Sequence, residues 1–224
     1  MMMPDGLTIF SMRLSLQVAG VATFFVIIAG TAIAYFLARR NFFGRELLDI
    51  ICTLPLVLPP TVTGYYLIVI MGRNGFIGKY IYELTGWSIM FTWYAAALAS
   101  FIVALPLMIK TTRAAIESVD NNLIKASYTL GHGEFETALK VILPLAKKGI
   151  IAGAVLSFAR ALGEFGATLM LAGNIPGKTD TMPLAIYSLA AGGDWEKASA
   201  MVILLTLMAG FFLYLANRFS RRVF

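Results

Sequence analysis

Apolar residues gather along this chain in five long runs, near 14–37, 51–71, 89–109, 149–172 and 198–216, separated by short polar stretches. Each run comes close to the roughly 20 residues that a helix needs to cross a bilayer. Backbone amides in hydrocarbon must be satisfied within their own segment, so the runs are predicted to be helices. The polar/apolar alternation of a barrel strand is absent. The stretch 182–190 is apolar but short; it reads as a re-entrant piece or as the opening turn of the last helix. The pattern predicts an all-α polytopic transmembrane bundle of about five spans, six at most, forming one domain over 1–224.

Composition sharpens that picture. Hydrophobic residues make up 59% of the chain and charged residues 13%, with a mean hydropathy of +0.80. Soluble domains hold about 45–50% apolar and roughly 25% charged residues. The net charge of +6 is spread between the apolar runs and forms no dense patch, which speaks for an anionic membrane face and against nucleic acid. With Arg39, Arg40 and Arg45 placed inside, residues 110, 113, 125, 140, 147, 148, 218, 221 and 222 follow them, giving twelve basic residues inside. Five (13, 73, 79, 178, 197) fall outside, and Arg160 lies within a run. The bias puts the N-terminus outside and the C-terminus in the cytoplasm. Cys52 is the single cysteine, so an intrachain disulfide and a cysteine zinc cluster are excluded. The first ten residues lack the basic region and cleavage site of a signal peptide, so the first run is read as a retained span.

The longest segment between runs, about 110–148, is polar yet helical in pattern. Leu123, Ala126, Tyr128 and Leu130, then Phe135, Ala138 and Leu139, recur at spacings near three and four, broken at Gly131 and Gly133. Two short helices joined by a glycine turn are predicted, with Pro144 opening the next span. The segment carries Lys125-Ala126-Ser127, three residues, Gly131, nine residues, then Val141-Ile142-Leu143-Pro144. This resembles the cytoplasmic signature of ABC importer permeases: Glu-Ala-Ala, three residues, Gly, nine residues, Ile-x-Leu-Pro. Lys125 stands where the family has Glu, and Ser127 where it has Ala. The segments 54–60 (LPLVLPP), Gly64-Tyr65, 72–75 (GRNG), 160–168 (RALGEFGAT) and 173–177 (GNIPG) extend the likeness to molybdate-type permeases over most of the chain. Sulfate and tungstate permeases are similar.

The resemblance implies a type I importer permease fold in the cytoplasmic membrane of a bacterium or archaeon. It implies a homodimer around a central path, separate ABC ATPase subunits, and an extracytoplasmic oxyanion-binding protein. Lys125, Ala126, Ser127, Gly131, Leu143 and Pro144 would form the ATPase-coupling loop. No cofactor or metal and no enzymatic activity of the chain itself are expected; besides the protein subunits, its contact is membrane lipid.

Two features within the spans suggest a path. On a straight fourth helix, Gly149, Gly153, Ser157, Arg160, Glu164 and Thr168 fall within an arc of roughly 100°. An ionised group at the bilayer centre costs roughly 2.5–3.5 kcal/mol on insertion scales. Arg160 and Glu164 therefore read either as a pair shaping an anion conduit or as a structural ion pair between helices. Gly149 and Gly153 form a GxxxG step for close helix approach. Pro55, Pro59 and Pro60 read as a helix break beside the path, or as a plain loop-to-helix junction. Asn174, Pro176 and Gly177 read as an outer turn, open to a delivery protein.

Other motifs fail. Segment 173–179 (GNIPGKT) is one residue short of a phosphate loop and follows an apolar run instead of a strand. His132, the single histidine, has no ligand set at metal spacing and no triad partners. Two rivals remain: a gradient-driven secondary transporter, with Glu164 the one clear midplane carboxylate, and an intramembrane enzyme, for which one Arg and one Glu are too few.

Overall fold

An i, i+4 stripe of Leu14, Val18, Ala22, Val26, Gly30 and Ala34 is buried along one face of the first helix, the periodicity that lets a span bury a single seam. The computed structural model describes residues 6–222, with side chains through Tyr214. Its helices are α1 (Gly6–Arg39), α2 (Arg45–Val57), α3 (Pro60–Met71), α4 (Gly78–Thr85), α5 (Trp93–Glu117), α6 (Asn121–Thr129) and α7 (Glu134–Thr137). A π-turn (Ala138–Ile142) leads into α8 (Leu143–Leu162), followed by α9 (Gly166–Ala172), α10 (Met182–Ala191) and α11 (Trp195–Arg222). No strand occurs among the described residues. Arg218, Arg221 and Arg222, counted on the inside above, lie outside the residues whose side chains are described.

Helix α5 is the post of the bundle. It is the most enclosed span, with 61% of its apolar window buried against 11% for α11. Its buried face is rich in alanine (Ala95, Ala96, Ala99, Ala104), which lets α1, α8 and α9 pack closely around it. The GxxxG step acts as expected. A Cβ on Gly149 would lie 2.2 Å from Ala115 Cβ, and one on Gly153 2.9 Å from Met108 Sδ.

Four helices are long and apolar enough to span a membrane, and the bent pair α2–α3 makes a fifth where its two halves count as one span. The run 51–71 is thus not a straight span, because its two halves meet at 119°. Leu58 is extended (φ −70°, ψ 143°), as the residue before a proline prefers. Pro59 flanks the new helix and Pro60 starts it, where the missing N–H costs nothing. The run 149–172 is likewise divided: α8 stops at Leu162 and α9 begins at Gly166.

The glycine turn of the loop is present, with Gly131 at φ +87° between α6 and α7. Pro144 does not open a new helix, however; helix runs unbroken over Glu134–Leu162. The π-turn absorbs the proline, since Leu143 N–H reaches back five residues to Ala138 O, widening the coil where an amide is missing. The stretch 182–190 forms a helix of its own instead of the first turn of the last one. It is closed by the Gly192-Gly193 turn, with Gly193 at φ +81°.

Candidate functional site

The two broken spans meet break to break. Helices α3 and α9 run side by side in the same direction, small residue against small residue. A Cβ on Gly166 would lie 3.0 Å from Pro60 Cβ and 3.1 Å from Thr61 N, and one on Gly64 2.7 Å from Met170 Cβ and 2.9 Å from Ala167 Cα. Each helix therefore starts part-way along the bundle, beside the other's first turn.

Glu164 organises this junction. Its Oε1 accepts the Ala167 N–H at 2.8 Å, satisfying one of the amides that a helix start leaves without a partner. Its Oε2 lies 2.7 Å from Arg160 Nη1, with the carboxylate side chain 1% exposed and the arginine 29% exposed. The carboxylate is thus buried, paired and engaged in capping, while the guanidinium keeps one side open. This divides the single polar face expected of a straight helix. Ser157 is fully buried against α5 and donates to Ala104 O at 3.3 Å. Thr168 is 1% exposed and its hydroxyl has no hydrogen-bond partner; Thr63 on α3 is in the same state at 5%. Pro59 is exposed and Pro60 half-buried. Of the six proposed path residues, Pro59, Pro60 and Arg160 present open surface; Ser157, Glu164 and Thr168 face neighbouring helices.

The second constellation lies at the bundle end that gathers the basic loops. Arg40 Nη2 donates to Glu134 Oε2 at 2.6 Å, and Arg39 Nη1 to Asn121 Oδ1 at 3.4 Å, which brace the α6–α7 hairpin against the end of α1. Ser127 is buried, its hydroxyl 2.9 Å from that of Thr137, so the position where Ser replaces the family alanine has become a lock between the hairpin's arms. Lys125, Ala126, Gly131 and Pro144 are exposed and Leu143 half-buried. The hairpin also bares Leu130 at 79% and Phe135 at 75%. Sequence reasoning used these two only as helix markers; their signal was two large apolar residues flanking the Gly131 turn in a polar segment. Also missed was the charge chain that ties α2 to α5. Asp49 takes Lys110 Nζ at 2.9 Å and Arg113 Nη1 at 3.0 Å, and Glu117 takes Arg113 Nε at 2.8 Å and Arg45 Nη2 at 3.4 Å.

At the opposite end the 173–181 turn is anchored to α1. Ser11 Oγ donates to Asp180 Oδ2 at 3.2 Å, Gly177 N–H to Asp180 Oδ1 at 3.0 Å, and Met182 N–H to Ser15 Oγ at 2.7 Å. Asp180 is 5% exposed, and this burial pushes its carboxyl above the ordinary range despite both donors. Asn174 Nδ2 reaches the hydroxyl of Ser188 on α10. No group of three or more His, Cys, Asp or Glu fit for a metal occurs among the described residues.

Comparison with known proteins agrees with this architecture. The family model described as binding-protein-dependent transport system inner membrane component matches residues 12–224. The chain is 42% identical over 216 residues to the molybdenum transport system permease protein ModB of Haemophilus influenzae, covering 96% of this chain and 94% of that one. It is 34% identical over 215 residues to the sulfate transport system permease protein CysT of Salmonella typhimurium, covering 94% and 77%. Among solved structures, the methionine ABC transporter MetNI in an inward facing conformation shares the fold, with a TM-score of 0.77 at 18% identity over 97% of this chain and 96% of that one.

Proposed function

The chain belongs to the family of binding-protein-dependent transport system inner membrane components, and from that premise we propose that it is the permease subunit of an ABC importer for molybdate or a similar tetrahedral oxyanion. The likeness to the molybdenum permease over nearly the whole chain carries the substrate class. The sulfate permease supports a second reading at lower identity.

In this reading the chain binds no nucleotide and works with separate ATPase subunits. The bared Leu130 and Phe135, beside exposed Lys125 and Ala126, supply an apolar docking face whose burial against another protein would be favourable at about 25 cal/mol per Å². Two copies enclose the path, with the basic loops and C-terminus in the cytoplasm and the 173–181 turn outside, where the oxyanion-binding protein docks. Closing of the ATPases drives the hairpins together and swings the spans between two packed states. Selectivity rests in the delivery protein; the permease offers Arg160 as a positive lining beside the Pro59–Pro60 break. Glu164 is its buried anchor.

The test is reconstitution in proteoliposomes with the cognate ATPase and delivery protein. Molybdate-loaded delivery protein is expected to stimulate ATP hydrolysis and uptake more than sulfate does. Stimulation by sulfate alone would move the assignment to the second reading. Uptake that survives ATP depletion but collapses with the proton gradient would overturn the ABC mechanism.

A further inference from the structure

The loop after α3 forms a built cationic pocket that the transport reading does not use. Residues 72–77 fold back over the end of α3. The N–H groups of Gly72, Phe76 and Ile77 cap Ile68 O, Val69 O and Ile70 O at 2.7, 3.1 and 2.8 Å, filling the acceptors that a helix end leaves open. The wrap is so close that a Cβ on Gly78 would lie 2.1 Å from Gly72 O. The loop is therefore a fixed cap, and it walls a concavity of about 650 Å³ together with Met90 and Tyr80.

Its charge is lopsided. The Arg73 guanidinium carbon lies over the Tyr82 ring, 4.0 Å from its centroid, a cation–π contact that holds the charge at this spot without a carboxylate. Among the described residues it pairs with no carboxylate. Lys79 has only Glu83 at 3.7 Å, both more than half exposed, a contact worth little. Ile68, Val69, Phe76 and Met90 give the rest of the wall an apolar stretch, with Asn74 the one uncharged polar side chain besides Tyr80. The pocket sits where α3 leaves the bundle and bares Phe76 at 78% and Tyr80 at 64%; Trp87 at 45% and Tyr94 at 50% follow along the chain toward α5. Tyr and Trp with that exposure mark the headgroup level of a bilayer.

We propose that this pocket holds an anionic phospholipid, its phosphate on Arg73 and Lys79 and its glycerol and upper acyl chain on the apolar wall. A free oxyanion would satisfy the cations but leave that wall bare, and the pocket has no enclosing donor cage. The inference requires only that the chain spans a membrane, so it stands apart from the cargo assigned above.

The experiment uses the full chain with its ATPase subunits in nanodiscs containing phosphatidylcholine and phosphatidylglycerol, with retained lipids counted by native mass spectrometry. Phosphatidylglycerol is expected to be retained selectively and not displaced by millimolar inorganic phosphate. The Arg73→Gln/Lys79→Gln variant should lower its apparent affinity about fivefold per cation, roughly twentyfold or more together. Asn74→Glu sets a carboxylate beside the phosphate while sparing the Tyr82 contact, and should lose at least fivefold. It serves if the double variant fails to assemble. Equal retention in wild type and in an assembled variant overturns the proposal. Displacement by inorganic phosphate would make this a free-anion site. Unchanged lipid retention with weakened binding of the delivery protein would make it a protein-docking site. Either result also overturns the lipid assignment.

Discussion

Neutralising Arg160 and Glu164 separately and together tells a conduit from a structural clasp. Arg160→Gln leaves the Glu164 carboxylate, 1% exposed, without its counter-charge. Removing one partner of a buried pair costs about 3–5 kcal/mol, which for a chain of this length lowers the thermal midpoint by about 6–20 °C. Glu164→Gln is milder. The amide oxygen can still accept the Ala167 N–H, and Arg160, 29% exposed, can turn toward water, so about 1 kcal/mol is expected. The double variant buries no charge and should return to within about 1–2 kcal/mol of wild type. Uptake separates the two roles, measured in proteoliposomes on samples matched for assembly by their thermal midpoints. If the guanidinium lends positive potential to the passing anion, the stable double variant remains at least about tenfold slow, a barrier increase of about 1.4 kcal/mol. Full uptake by the double variant would reduce Arg160 to a clasp. Equal destabilisation by the two single changes would refute the argument from burial.

Other expectations follow from the same contacts. Gly64→Val drives a Cβ to within 2.9 Å of Ala167 Cα; backbone cannot yield as a side chain can, so a loss of about 1–3 kcal/mol is expected in thermal unfolding. Ser127→Ala orphans the fully buried Thr137 hydroxyl at about 1–3 kcal/mol, and should show as faster hydrogen exchange in α6 and weaker co-purification of the ATPase. Burial raises the Asp180 carboxyl above 3.8, so the fold binds its proton more tightly than the unfolded chain does. Its contribution is greatest below pH 3.8, declines as pH rises to the raised value, and is flat beyond. Asp180→Asn keeps an acceptor for the Ser11 hydroxyl and should abolish that part of the pH dependence of the thermal midpoint, read as the difference from wild type.

The apolar segments and their helical character were legible because lipid imposes one rule, apolar length, that any sequence displays. The glycine-hinged hairpin was legible for a similar local reason: Gly131 must supply φ +87°. The breaks were harder to place. Pro59 and Pro60 announced the first, but its 119° angle depends on where α3 finds a partner, and that partner is α9. The second break has no proline. It arises because Glu164 gives its carboxylate to the Ala167 N–H, a local competition that hydropathy does not register. Projecting residues 149–168 onto one straight helix therefore put Ser157, Glu164 and Thr168 on a common open face; the break turns the last two into the junction with α3. Ser127 looked like a departure from the family pattern, and only the fold shows its hydroxyl against Thr137. The charge chain of Asp49, Lys110, Arg113, Glu117 and Arg45 pairs residues as many as 72 positions apart, beyond the reach of any local pattern.

The π-turn before Pro144 keeps Glu134–Leu162 a single rod of 29 residues, about 43 Å long at 1.5 Å per residue. One end carries the bared Phe135; the other ends at Arg160 and the Gly163 break. Between them Gly149 and Gly153 press on Ala115 and Met108 of α5, near the rod's midpoint. Such a rod is a lever on a fulcrum. In the proposed function, a sideways stroke on its loop end would swing the arginine end the opposite way by a comparable distance, so force from an ATPase would reach Arg160 without any chain of side-chain rearrangements between them.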